Sequence, residues 1–269
     1  LGGGGGGGGA IYRAEDTELG RQVALKVLPG GEVSETAAQR LRQEARTLAR
    51  LEHPGIVPVH DAGQLPDGRV FYVMKLVRGE RLDQWAAAAA ERLRVFEKIC
   101  ETMAFAHAQG VIHRDLKPEN IMVGEFGEVL IMDWGLALMA GGAEAEGTVA
   151  GTPGYMAPEQ ERGEVQRVDE RSDVYALGAI LRFLAGEERP RPLEAICRKA
   201  LAAACDERYG SVAEVAAEVG RYRAGERVLA YREGILERAA RLASRHRTVL
   251  LLLAAYLLMR TLLLAVLGR

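Results

Sequence analysis

The most constraining feature of this 269-residue chain is the run His113-Arg114-Asp115-Leu116-Lys117-Pro118-Glu119-Asn120. It sets a carboxylate and a carboxamide five positions apart. That spacing suits one side chain that accepts a hydroxyl proton and another whose amide oxygen binds a metal, both on a rigid loop. Eighteen residues after Asp115 comes Asp133-Trp134-Gly135, reached through the apolar stretch Val129 to Met132, which sets a second metal-binding carboxylate at a strand end. Ala157-Pro158-Glu159 then closes a segment rich in Gly, Ala and Glu. Any one tripeptide is common, but the order and spacings together are not.

Toward the N-terminus lie eight consecutive glycines, Gly2 to Gly9. Glycine-rich turns let backbone N–H groups approach phosphate oxygens without a Cβ in the way, and Gly4-x-Gly6-x-x-Gly9-x-Ile11 fits such a pattern. A homopolymeric run fits any glycine pattern, however, and a flexible linker explains it equally well. Val23-Ala24-Leu25-Lys26 puts an amine on the third strand of the front region, within reach of α- and β-phosphates. A lone strand Lys is more often solvent-facing. Glu44, on the helix that follows, is placed to pair with Lys26, whereas a helical Glu is usually a surface residue.

The remaining pattern reads as a small β-rich front and a larger helical back. Ile11 to Ala14 and Val23 to Leu28 form a hairpin around Thr17 to Gly20. Ser34 caps a helix carrying Glu44, Leu48 and Leu51. Ile56 to His60 and Val70 to Met74 read as strands, and a helix-rich stretch begins near Leu82. Val111 to Val123 and Val129 to Met132 bring back β character, and helices dominate from about Asp169. The fold class is α+β with two lobes.

Formal net charge is −2, which lacks the basic excess of nucleic-acid-binding proteins. Cys100, Cys197 and Cys205 are odd in number and without a CxxC, which excludes a disulfide framework and the common zinc patterns. The first residue is Leu1 rather than Met, as in a piece of a longer chain. The tail differs in kind. Arg221 to Arg247 holds eight Arg against three Glu, and Thr248 to Leu267 holds ten Leu with Arg260 as its one charge. Twenty apolar residues in a helix span a bilayer core of about 30 Å. Arg260 costs about 2.5–3.5 kcal/mol at the centre, while each Leu returns about 0.3–0.6 kcal/mol, so the Leu residues prevail. The expectation is a transmembrane helix over 248–267, with the basic segment 225–247 and everything before it in the cytosol.

Taken together, these motifs resemble those of bacterial eukaryotic-like (Hanks-type) serine/threonine protein kinases of the membrane-anchored, receptor-like kind. The resemblance covers roughly residues 1–224. It implies the bilobal kinase fold, with a β-rich N-lobe over about 1–74 and a helical C-lobe over about 78–224. The region 178–192 is short for the family, so a helix that often docks substrates is missing. Lys117, two residues after Asp115, and the run Gly151-Thr152-x-x-Tyr155-Met156-Ala157-Pro158-Glu159 are similar to the serine/threonine version of these motifs.

The resemblance implies ATP as substrate, with magnesium, or manganese in its place. By it, Lys26 binds the α/β-phosphates and pairs with Glu44. Asp115 orients and deprotonates the substrate hydroxyl, and Lys117 steadies the γ-phosphate. Asn120 and Asp133 hold the metal. Gly4, Gly6, Gly9 and Ile11 form the phosphate loop, and Met74 stands behind the adenine, with Lys75 to Val77 as the hinge. Thr152 braces the catalytic loop, Asp173 anchors its backbone, and Arg208 pairs with Glu159. An otherwise unpaired Arg114 would meet a phosphate on Thr148 of the activation segment. Trp134 stands where Phe is commoner.

The implied activity is phosphorylation of protein Ser/Thr residues, autophosphorylation included, in membrane-linked signalling. Implied partners are protein substrates, a kinase-domain homodimer acting in trans, and lipid, but no nucleic acid. The implied location is the inner (plasma) membrane, single-pass, with a cytoplasmic kinase domain. The alternative is a pseudokinase that binds nucleotide or acts as a scaffold. A small-molecule phosphotransferase is disfavoured by the Gly151-Thr152 and Ala157-Pro158-Glu159 segments.

Overall fold

β-Branched and apolar residues alternating with polar ones build a hairpin at the front of the protein. The computed structural model describes residues 9–29, 35–139, 149–245, 251–253, 255–257 and 259–261. Strand β1 (Ala10–Asp16) runs antiparallel to β2 (Arg21–Val27), and the turn between them is tied by the Leu19 amide donating to Asp16 Oδ1 at 3.2 Å. With β3 (Val59–Gln64) and β4 (Val70–Lys75) they make a sheet in the order β1-β2-β4-β3. The register of β2 against β4 sets Lys26 opposite Tyr72 and Ala24 opposite Met74.

Helix α1 (Glu35–Arg50) lays one stripe, including Leu41, Glu44, Ala45 and Leu48, against β3 and β4. Its apolar members supply the ordinary driving force, but Glu44 shares that buried stripe and must find a charged partner there. Two small sheets line the junction with the helical lobe. One is β5 (Gly79–Arg81) with β7 (Ile121–Gly124) and β8 (Val129–Ile131). The other pairs β6 (Val111–Ile112) with β9 (Leu138–Met139). Residues 113–120 therefore connect two strands of different sheets, which holds both ends of that loop.

The helical lobe centres on α2 (Ala89–Ala108) and α4 (Glu170–Ala185), with α5 (Arg191–Ala200) and α6 (Val212–Arg223) packed around them. Phe96, Ile99, Met103, Leu177, Ile180 and Val215 are fully buried where these helices meet. A one-turn helix α3 (Pro158–Glu161) follows the activation segment, and α7 (Ile235–Arg245) follows the lobe.

Several sequence expectations change. Lys26 lies on the second described strand, not the third. The strand expected over Ile56 to His60 starts at Val59, because Ile56 is taken by a parallel bridge to Ile131 and Gly55 accepts the Ile131 amide. The helix expected near Leu82 starts at Ala89, since Leu82 is fully buried and donates its amide to Ile121 of β7. Five residues, 186–190, join α4 to α5, and the two helices pack directly on each other. The packed core continues past residue 224, because Val228 is buried in it. Ser34 lies outside the described residues, as does much of 248–267. Within that segment 251–253, 255–257 and 259–261 are helical, with Leu251, Leu252, Leu253 and Met259 exposed. Among the described residues no helix is long and apolar enough to cross a membrane.

Candidate active site

A cation bridges the cleft between the lobes. Lys26 Nζ, brought from β2, reaches Glu44 Oε1 at 2.7 Å and Oε2 at 2.9 Å on α1, and Asp133 Oδ1 at 3.2 Å beyond β8. Lys26 and Glu44 are buried, while the Asp133 side chain is about half exposed to the cleft. Burial works against the charge on Lys26, but the two carboxylates outweigh it and hold the ammonium above the ordinary lysine range. Burial pushes Glu44 up, against the pull of Lys26 and of the Tyr72 hydroxyl, which donates to Glu44 Oε1 at 2.8 Å. For Asp133, Lys26 overcomes burial and keeps the carboxyl below the usual carboxylate range. Asp133 thus stays ionised where it faces the cleft.

The loop after β6 presents Asp115 with both carboxylate oxygens oriented. Oδ1 accepts from the Thr152 hydroxyl at 2.6 Å, and Oδ2 accepts from Asn120 Nδ2 at 3.1 Å and faces Lys117 Nζ at 3.0 Å. Lys117 also donates to Thr152 Oγ1 at 2.7 Å, so Thr152 joins the activation segment to the loop. The Asn120 side chain donates through Nδ2, to Asp115 Oδ2 and to the Asp115 carbonyl at 2.8 Å, which leaves Oδ1 as the atom that could meet a metal. The Met132 amide donates to the Asn120 carbonyl at 2.7 Å, which fixes Asn120 beside Asp133.

Asp173, wholly buried on α4, holds the loop from behind. It accepts the amides of His113 at 2.8 Å and Arg114 at 2.9 Å, and His107 Nε2 lies 2.7 Å away. Burial alone would raise its carboxyl, but His107, His113 and these backbone bonds bring it below the ordinary range. Arg114 is not the unpaired cation expected from the sequence. It is buried, and its Nε donates to the Leu136 carbonyl at 2.6 Å. Below the site, Glu159 and Arg208 form a two-pronged pair with both N–O distances 2.8 Å, and Ser172 donates to Glu159 at 2.7 Å. These bonds outweigh burial and bring the Glu159 carboxyl down to about 2.

Met74 is buried on β4, and Val77 and Ile11 are partly buried against the core. Gly9 sits at φ +104°, and a Cβ there would lie 2.7 Å from the Val27 carbonyl, so only glycine fits. Gly4, Gly6 and Thr148 lie outside the described residues.

Among the described residues no three His, Cys, Asp or Glu side chains converge on a cation. An ionised carboxylate and an amide oxygen on one side of an open cleft are nevertheless the hard donors that magnesium takes when phosphate oxygens and water complete its shell. Three contributors escaped the sequence reading. Tyr72 bonds Glu44, and His107 bonds Asp173. Gln160 donates through Nε2 to the Arg114 carbonyl at 2.8 Å and the Ala150 carbonyl at 3.2 Å. The bonds to Glu44, Asp173 and Arg114 all act across long sequence separations.

The chain matches the protein kinase domain family over residues 3–212. It is similar to the DNA damage-responsive serine/threonine-protein kinase RqkA of Deinococcus radiodurans, 42% identical over 181 residues, covering 64% of this chain and 27% of the relative. Serine/threonine-protein kinase pkn3 of Myxococcus xanthus is 40% identical over 187 residues, covering 64% and 34%. Serine/threonine-protein kinase PknB of Mycolicibacterium smegmatis is 36% identical over 258 residues, covering 80% and 41%. The chain therefore spans about a quarter to two-fifths of the length of these relatives.

Proposed function

The chain belongs to the protein kinase domain family, and on that premise we propose that it transfers the γ-phosphoryl group of ATP to serine and threonine hydroxyls of proteins, itself included. The observation that carries this reading is the meeting of Lys26, Glu44 and Asp133 in one charged chain across the cleft, beside an Asp115 oriented at both oxygens. Lys26 is charged and fixed, so it offsets phosphate charge without reorganising. Asp115 orients the attacking hydroxyl and takes its proton. The new bond joins that oxygen to the γ-phosphorus, and the bond to the bridging oxygen breaks in line, its electron pair leaving on ADP. Lys117, 3.0 Å from Asp115, is placed to follow the transferring group. Magnesium, or manganese, would be held by Asp133 and Asn120 and would neutralise charge on the phosphates.

A nucleotide-binding scaffold is disfavoured, because Lys26, Asp115, Asn120 and Asp133 are all present, with Lys26 bonded to Asp133 and Asn120 bonded to Asp115. Incubation with magnesium and labelled ATP, followed by phosphosite mapping, tests the proposal. The wild-type chain should phosphorylate itself, while Asp115→Asn and Asp133→Asn should each lose orders of magnitude in turnover. Equal transfer by Asp133→Asn and wild type would end the kinase reading.

The proposal extends to a single-pass anchor over 248–267 in the inner membrane, with the catalytic lobes in the cytosol. Its support is the run of ten Leu, the Arg-rich segment on one side of it, and the exposed Leu side chains of the helical pieces at 251–253. Confinement in a plane would favour transfer in trans between two copies.

A further inference from the structure

Beyond the anchor, helix α7 carries an apolar face that the fold leaves uncovered. Ile235 is 89% exposed and Leu236 is 85% exposed. At 3.6 residues per turn, Ile235, Leu236 and Ala239 fall on one side of the helix, and Glu237, Arg238 and Arg241 on the other. This is the two-faced pattern of a helix that lies in an interface.

The helix is not on a free linker that could fold back and hide this face. A buried Glu218 on α6 accepts the Leu229 amide at 3.1 Å and the Ala230 amide at 2.8 Å, and Val228 is buried in the core. Glu237 then accepts the Gly234 amide at 3.0 Å and the Tyr231 hydroxyl at 2.9 Å, and Arg241 binds Glu233 at 2.7 and 3.0 Å. The strap from 226 to 234 is thus bonded to the lobe, and the polar side of α7 is bonded to the strap. The acidic residues are used up within the protein, while Arg238 remains exposed.

We infer that α7 docks in the plane of an anionic lipid surface, its Ile235 and Leu236 side chains in the headgroup boundary and its exposed Arg238 beside lipid phosphates. The choice of occupant follows from charge and position. Helix α7 holds three Arg against one Glu, so a second copy would bring a like-charged helix, whereas acidic headgroups complement it. This inference rests on the membrane reading of the segment that follows, and it adds a second, separately testable contact with the bilayer.

The test uses the full chain carrying Leu236→Trp, reconstituted in phosphatidylcholine vesicles with or without phosphatidylserine, with bromine on the lipid acyl chains near the headgroups. Emission of the added tryptophan is read above the background of Trp85 and Trp134 in the parent chain. Bromolipid should quench it several-fold more when phosphatidylserine is present, and Arg238→Glu should weaken that dependence. Quenching by aqueous iodide but not by bromolipid would overturn the inference. Protection from iodide that appears only at high protein density would also overturn it, pointing to a second copy. Alkaline carbonate extraction of the same vesicles reads the span separately. A chain that stays in the pellet with iodide-accessible tryptophan overturns α7 docking alone. A chain that washes off after showing bromolipid quenching overturns the span and supports α7 docking.

Discussion

The Arg114 amide, on a residue at φ +68°, donates to Oδ1 of a wholly buried Asp173 at 2.9 Å. Left-handed backbone costs a non-glycine residue about 1–2 kcal/mol, so something must hold it there. Asp173 does so with a charge, and it holds the neighbouring His113 amide through its other oxygen. The turn that aims Asp115 into the cleft is therefore set from α4, almost sixty residues away in sequence.

Asp173→Asn tests this relationship. The new NH₂ group would face an N–H donor on one side, and the charge would be gone. Hydrogen bonds to charged groups contribute about 1.5–3 kcal/mol each, so both stability and loop geometry should suffer. The expected result is a lower Tm together with a fall in kcat much larger than the change in KM for ATP. Steady-state kinetics and thermal unfolding on the same preparation decide it, and unchanged kcat would reject the anchoring role.

Tyr72→Phe probes the Lys26–Glu44 pair without touching either charge. It removes the hydroxyl that Glu44 Oε1 accepts, in a buried setting where such a bond contributes about 1.5–3 kcal/mol. Lys26 is then the only one of these two partners left to hold the Glu44 carboxylate, and the pair should be less well ordered. KM for ATP should rise a few-fold with a smaller effect on kcat. Lys26→Met is the harsher variant, because breaking a buried pair costs about 3–5 kcal/mol, and its Tm must be followed beside its activity. Tyr72→Phe with wild-type ATP affinity would show that the hydroxyl only fills space.

Much of this site was legible because its chemistry is local. Asp115, Lys117 and Asn120 share one short loop, and Asp133 ends a recognisable apolar strand. Lys26 and Glu44 were legible only in the light of that loop, since each taken alone resembles a surface residue. Tyr72, His107 and Gln160 were not legible, because nothing near them in sequence announces a partner 28, 66 or 46 residues away. The same cause moved two element boundaries. Ala86 to Ala90 has high helix propensity, but Leu82 is held to β7 and the helix starts only at Ala89. Ile56 looks like strand, and it does pair, but with Ile131 across the lobes rather than within the first sheet.

Acid should unfold the helical lobe through Glu159. Its carboxyl falls from an ordinary value near 4.5 to about 2 in the folded protein. A depressed folded value means that the stabilisation is complete above the unfolded value and is lost as pH drops from about 4.5 toward 2. The shift corresponds to on the order of 3 kcal/mol. Glu159→Gln should therefore be less stable than wild type at neutral pH, and the gap should narrow across that acid range. Asp173, also depressed, adds to the same limb in both proteins. Urea midpoints measured against pH give the comparison, and a gap that stays constant down to pH 2 would contradict it.

Trp134 should be more than a large plug beside Asp133. Its Nε1 donates to the Ile131 carbonyl at 3.2 Å, and its ring packs on His113 with centroids 4.7 Å apart. Asp133 lies between Trp134 and β8 at φ +57°, a strained position that persists only if its neighbours are fixed. Trp134→Phe keeps an apolar ring but removes the tether, at about 0.5–1.5 kcal/mol for the bond. At about 2–4 °C per kcal/mol for a domain of this size, Tm should drop by a few degrees. The decisive readout is nucleotide affinity against magnesium concentration. A loosened Asp133 would demand more magnesium for the same ATP occupancy, whereas a packing defect alone would lower Tm and leave that dependence where it is in the wild type.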